Sequence, residues 1–306
     1  MKKTILLAAL VCLPFLASAQ EEKDTIPDGW TTSGNISLLF NQAAFNHEWT
    51  GGGTSNFAGN IKLSYQFNYK KDKLSWDNRI LGDYGITKNK DDKYSRKTND
   101  RLELNSILGR EIKDSNWYYS FFLNFKTQFA KGYEFDTDLE PDDPGYRTET
   151  THFMSPADLQ FGPGILWKKN KNLYVNIAPA TAKFIFGDKK FTRVDETDPD
   201  ALAAYNDSKY FGVDANKTSR FEFGAAVSAY GKFKLMDNIT AENILNLYAN
   251  YLEDPQNVDI DYTLNITMQV NKYISTNFTF QAIYDDNAVK GFQIREALGV
   301  GITYNF

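Results

Sequence analysis

The sequence predicts an all-β protein: a closed antiparallel up-and-down transmembrane β-barrel of about 12 strands, with short turns at one end and longer loops at the other. Three observations carry this. Apolar and polar residues alternate for longer than a soluble strand requires. In 258–270, "VDIDYTLNITMQV", Val258, Ile260, Tyr262, Leu264, Ile266, Met268 and Val270 share one face, and Asp259, Asp261, Thr263, Asn265, Thr267 and Gln269 share the other. Strands of soluble proteins usually run five or six residues, whereas a tilted membrane strand needs roughly ten. The composition agrees: mean hydropathy is −0.49, yet aromatic residues make up 15%. A polar average rich in aromatics suits a barrel in which only alternate residues face lipid. Finally, the connections alternate between short and long.

The elements follow in order. "MKKTILLAALVCLPFLASAQ" has two lysines, a short apolar stretch and Ala17-Ser18-Ala19, which reads as a secretory signal over 1–19 with cleavage before Gln20. Cys12 lies within it, but Val11 is bulky where a lipoprotein signal carries a small residue. Cleavage removes the one cysteine, so disulfides and thiolate metal sites are excluded. It also removes two of 34 basic residues, and 32 − 39 gives a mature net charge of −7. An acidic exported chain argues against nucleic acid as a partner. Residues 20–30 read as a short periplasmic lead-in, and 31–306 as one outer-membrane barrel domain.

Twelve strands are expected at 33–42, 60–70, 74–86, 101–112, 117–129, 157–167, 173–186, 220–235, 241–252, 258–270, 276–284 and 294–306. The links "KKDK" (70–73), "KDSN" (113–116), "KKNKN" (168–172), "MDN" (236–238) and Asn271-Lys272 are short. The links 43–56, 87–100, 130–150, 187–216, 253–257 and 285–292 are longer. Short turns belong on the periplasmic side, which puts both termini there. In the last strand Leu298, Val300, Ile302, Tyr304 and Phe306 share a face. Tyr304 and Phe306 look like the insertion signal that barrel-assembly machinery reads on bacterial outer-membrane barrels.

Departures from alternation are where chemistry could sit. "NHEWTGGGTSNFAGN" (46–60) holds Trp49, Gly51, Gly52 and Gly53. A phosphate-cradling loop needs a following helix and a lysine, and neither is present. A tight loop at the barrel rim is the better reading. This stretch, with "LSWDNRILGDYG" (74–85), "RKTNDRLELNSILGR" (96–110), "NWYYSFFLNFKTQFAKGY" (116–133), "MSPADLQFGPGILWK" (154–168) and "NIAPATAKF" (176–184), resembles a family of exported Bacteroidota proteins catalogued as domain of unknown function 3078 (DUF3078). The resemblance implies an integral outer-membrane β-barrel of a Gram-negative bacterium of that phylum, and implies no activity. Such proteins usually show Asn-Trp before the glycines; here the order is Asn46-His47-Glu48-Trp49.

His47 and His152 are the two histidines, and no zinc-ligand spacing joins either to Glu48 or Asp143. A barrel hydrolase would want Ser and His on neighbouring strands, and no Gly-x-Ser-x-Gly occurs. The chain therefore reads as a non-enzyme without a cofactor. Asp136, Asp138, Glu140, Asp142 and Asp143 form an acidic run that could take Ca2+, although the EF-hand order is absent. The ordinary role of such runs is a solvated loop, or a divalent bridge to lipopolysaccharide.

The inward register carries both signs: Lys62, Asp77, Arg79, Asp83, Glu103, Lys126, Arg220, Glu222, Lys232, Glu242, Asp259 and Asp261. Ionisable groups inside a membrane barrel are costly unless hydrated or paired. Tyr118, Phe122 and Tyr230 add bulk to the same face. The expected interior is therefore a largely filled, salt-bridged lumen. Two functions compete: an accessory or scaffold subunit of an envelope complex for secretion, uptake or barrel assembly, and a narrow channel for a small polar solute. Mixed signs favour the first. Partners beyond lipid, lipopolysaccharide and the assembly machinery would be other envelope proteins.

Overall fold

Alternation becomes two faces only if the chain pairs edge to edge and closes, because an open edge would leave peptide groups unbonded in lipid. The computed structural model describes residues 28–46, 54–285 and 287–306, apart from the side chain of Lys290. Trp49 and Gly51, Gly52 and Gly53, with His47 and Glu48, lie outside the described residues.

The strands are β1 (Gly29–Ala43), β2 (Asn56–Lys71), β3 (Leu74–Asn89), β4 (Arg96–Glu111), β5 (Trp117–Thr127), β6 (Gly132–Phe135), β7 (Arg147–Thr151), β8 (Ala157–Asn170), β9 (Leu173–Phe186), β10 (Ser219–Met236), β11 (Ile239–Asn250), β12 (Val258–Gln269), β13 (Ile274–Asp285) and β14 (Val289–Asn305). Twelve of them close a barrel in the order β1-β14-β13-β12-β11-β10-β9-β8-β5-β4-β3-β2, and every pairing is antiparallel. β1 and β14 meet from Asn35↔Asn305 to Phe40↔Val300, and Gly34 and Phe306 exchange backbone bonds of 2.8 and 3.0 Å.

The faces match the expected register. Leu298, Val300, Ile302, Tyr304 and Phe306 are exposed on the outside, while Phe122, Tyr230 and Tyr248 are buried inside. Aromatics ring both ends of the outer face. Trp30 packs on Phe67, Tyr69 and Trp76 near the short turns, and Tyr65 and Tyr304 flank Phe306. Near the long loops, Phe184 packs on Phe161, Phe186 and Phe221. Such girdles mark the two interfaces of a transmembrane barrel.

Two of the longer links carry secondary structure of their own. In 130–150, β6 and β7 pair as a hairpin. Arg147 lies 4.4 Å from the Tyr94 ring and 4.2 Å from the Tyr133 ring, and Phe135 meets Tyr146 edge-on, so the hairpin carries its own small core. In 187–216 there are two helices, α1 (Lys189–Thr192) and α2 (Pro199–Asp207). The Asp198 side chain caps α2 by accepting from the N–H groups of Asp200 and Ala201, and Pro199 begins it, which is standard start chemistry.

Candidate functional site

The candidate site is the lumen. Strand pleat fixes who points inward: every second residue, with the set exchanged by a one-residue slip. All twelve charges assigned from sequence lie on the inward register, as the pairs Lys62↔Asp83, Glu103↔Lys126 and Lys232↔Glu242 show. Closure brings them into contact with one another.

Two ties cross the full width. Arg79 Nη1 lies 3.5 Å from Glu242 Oε1, and Arg101 Nη2 lies 3.8 Å from Asp261 Oδ2. β3 and β11 are six places apart in the ring of twelve, and so are β4 and β12. These pairs therefore join opposite walls. Each is braced. Tyr230 donates to Glu242 Oε1 (2.8 Å), stacks on Tyr174 with ring centroids 5.2 Å apart, and faces the Arg79 guanidinium at 4.8 Å. Asp261 also takes Lys126 at 3.2 Å and the Gln281 amide at 3.0 Å. Glu103 is buried and accepts from Arg101, Asn105 and Asn124.

A second knot sits nearer the long loops. Lys183 lies 3.2 Å from Asp259, 3.5 Å from Glu222 and 3.9 Å from Asp158, with the Tyr248 ring 4.6 Å away. Arg220 pairs with Glu222 (2.8 Å) and reaches Glu253 (2.6 Å), Asn287 and the Gly212 carbonyl. It so ties three extracellular-type links across the mouth. Gly212 has φ +72°, and a Cβ there would run into that guanidinium, so the position requires glycine. Asp77 takes Lys168 at 2.5 Å near the short turns, and Asp83 takes Arg295 at 3.7 Å. Lys62 donates to Thr279 (2.6 Å).

Sequence reading missed Arg101, Asp158, Lys168, Lys183 and Arg295 as lumenal charges. Lys168 sits in a lysine-rich run that reads as a turn, and Lys183 follows a register shift in β9 between Ala178 and Thr181 that plain alternation does not show. The available signal was Phe184 and Phe186 on the outer face, which sets Lys183 inward.

Apolar bulk fills part of the bore. Phe122, Ala178, Ala226 and Tyr248 cluster with Ile107. Phe122 stands opposite Gly162, where a Cβ would run into the Ala180 carbonyl of β9. Open space remains on the other side. A cavity of about 480 Å³ lies toward the short turns, and its lining includes Lys62, Asp83, Arg101, Glu242 and Arg295. The void beside Arg79 and Tyr230 is about 40 Å³, and the one beside Glu103, Lys183 and Asp259 about 80 Å³.

The loop end has its own ion cluster. Glu149 takes Lys131 (2.8 Å), His152 Nδ1 (2.9 Å) and Lys190 (3.1 Å), and His152 Nε2 lies 3.4 Å from Asp188. These hydrogen bonds, Lys131 first and then His152, hold the Glu149 carboxyl down at about 2. The hydroxyl of Ser155 accepts from the Asp188 N–H (2.8 Å) and meets Tyr210 (3.1 Å), so His152 is committed to carboxylates and not to a serine. The acidic run is spent on turns: Asp136 accepts from the Asp138 N–H, Asp143 from the Glu140 N–H, and Asp142 pairs with Lys93. Among the described residues no three His, Cys, Asp or Glu side chains converge as a metal ion would need.

Closure, an apolar girdled exterior and a polar ion-paired interior define a transmembrane β-barrel. Residues 40–133 match the model of a family described as protein of unknown function (DUF3078), the family that the sequence motifs resemble. No curated protein matches the chain. Among solved structures, the chain is similar to an outer membrane channel from Pseudomonas putida F1, at 10% identity and a TM-score of 0.37, over 94% of this chain and 99% of that one. The translocator domain of the autotransporter NalP from Neisseria meningitidis aligns at 7% identity and 0.32, over 99% and 98%. The outer membrane channel DcaP of Acinetobacter baumannii aligns at 10% and 0.30, over 91% and 96%.

Proposed function

We propose that this chain is an integral outer-membrane barrel, of Bacteroidota type, whose lumen is shut to steady flow and which serves as an accessory or scaffold subunit of an envelope complex for secretion, uptake or barrel assembly. One observation carries the reading: the bore is crossed by ion pairs between opposite walls, Arg79 to Glu242 and Arg101 to Asp261. A conducting pore of this width would keep its charges hydrated and free to meet a solute. Paired and buried charges instead hold the walls together and exclude water. The hub at Arg220 closes the loop end in the same way.

The purified barrel in planar bilayers should give little or no steady conductance. Large, stable, ion-selective steps would reject the closed lumen. They would favour the second reading, a narrow channel for a small polar solute, which the polar cavity of about 480 Å³ supports.

A further inference from the structure

Among the described residues, the barrel is not sealed along its whole seam. β14 is hydrogen-bonded to β13 from Asp285↔Val289 to Ile274↔Ile302. Its other edge meets β1 only as far as Phe40↔Val300. Past that point β1 continues as Asn41, Gln42 and Ala43, but these pair with Ala58, Phe57 and Asn56 of β2 alone. β1 ends at Ala43, and the Phe45 N–H is bonded to Ser55 Oγ at 2.9 Å.

The alternation of the ladder says which groups are stranded. Phe306 exchanges bonds with Gly34 of β1, while the Thr303 N–H bonds toward Tyr273 on the β13 side. Even-numbered residues of β14 therefore aim their N–H and C=O at β1. At Leu298, Glu296 and Ile294 those groups have no strand partner among the described residues. The side chains beside the gap are bare: Leu298 is 58% and Ile294 65% exposed.

A second observation is independent of the first. Glu296 stands opposite Phe280, between Ile294 and Leu298, on the outward register. It lies near the middle of β14 and opposite the middle of β13, well inside the apolar outer face. It is exposed, and makes no ion pair among the described residues. Gln42, also exposed, shares the outer face across the gap. Hydrocarbon cannot bond open peptide groups or solvate a carboxylate.

We infer that the β14 edge from Ile294 to Leu298 is a docking site for an extended segment of a partner protein, added as a β-strand and bearing a lysine or arginine opposite Glu296. Strand addition satisfies every second N–H and C=O along an edge, and the facing side chains give specificity. A basic residue on the outer face of that strand supplies the counter-charge. Lipid tails supply neither. This rests on the reading of the chain as a subunit of an envelope complex, and it gives that reading a surface.

The test uses the full-length protein in its native outer membrane, with a benzophenone amino acid at Ile294 and, as control, at Leu264 on intact wall. The expected product is a discrete adduct at 294 only, whose cross-linked peptide is an extended segment of another protein containing Lys or Arg. Glu296→Lys should cut its yield at least fivefold, and reversing the partner's basic residue should restore it. A lipid or lipopolysaccharide adduct, an adduct to residues 44–55 of the same chain, or an adduct to a second copy would each overturn the proposal. So would an adduct insensitive to charge reversal. Amide exchange gives a second readout that needs no variant: the amides of Ile294, Glu296 and Leu298 should exchange at least tenfold faster in the purified barrel than in the native membrane. Equal protection in both would mean that the chain seals its own seam. These outcomes are separate from the bilayer recording, because a conducting barrel could still dock a strand and a silent one could still face only lipid.

Discussion

Between β4 and β11 the inward side chains meet. Phe122 and Tyr248 close over Ala178 and Ala226, and Lys183 sits among three carboxylates. Between β12 and β3 they meet only in places, as Asp83 with Arg295 and Lys62 with Thr279, and Ser, Thr and Asn side chains line about 480 Å³ of open space beside them. Both sides use the same pleat. What differs is the size pattern: small residues at Ala178 and Ala226 let Phe122 and Tyr248 reach into the bore, whereas the other side is lined mostly by short polar groups. The lesson is that charge content does not decide whether a lumen is filled. The neighbours of each charge do.

The contrast can be broken by substitution. Phe122→Ala removes a large buried ring from the packed side and should cost about 3–5 kcal/mol in a refolding titration. Thr279→Val, on the open side, leaves no cavity and loses two hydrogen bonds, from Lys62 and to Asn265, so it should cost less, about 1–2 kcal/mol. Equal losses would mean that the two sides are not differently packed. Next, Asp261→Asn leaves Lys126 and Arg101 without their shared partner and should cost about 3 kcal/mol. Lys232→Gln, at the exposed short-turn end, should fall within about 0.5 kcal/mol. The smallest effect is expected at the loop end. Glu149 titrates at about 2 in place of 4.5, so its ties to Lys131, His152 and Lys190 are fully present above about pH 4.5 and are lost as pH falls toward 2. Hydrogen exchange over 187–218, corrected for intrinsic rates, should lose protection severalfold across that window while the barrel strands keep theirs. Unchanged protection would show that the cluster does not hold the loops.

Much of this was readable beforehand, for a physical reason. Strand period is local, so the twelve barrel strands and the inward register of Lys62, Glu103, Glu222 and Asp261 follow from alternation alone. Boundaries differ where strands run past the apolar band: β4 starts at Arg96 and β14 at Val289, earlier than expected, because pairing continues into the polar rim. Helix α2 carried an unread signal in Asp198-Pro199, a capping residue followed by proline. The ties across the bore were beyond local reading. That Arg79 meets Glu242 depends on how many strands close the ring and with what stagger, and neither quantity is written in either strand.

The cross-lumen ties also bear on time. Arg79 and Glu242 are 163 residues apart in the chain, and no ladder of neighbouring strands brings them together. They can touch only after the ring has closed. A bond that is absent until the last step leaves the rate of closing nearly untouched and slows the rate of opening. The loss in Asp261→Asn should accordingly fall on unfolding. These bridges act as a latch: they do little to help the barrel form, and much to decide how long it stays shut.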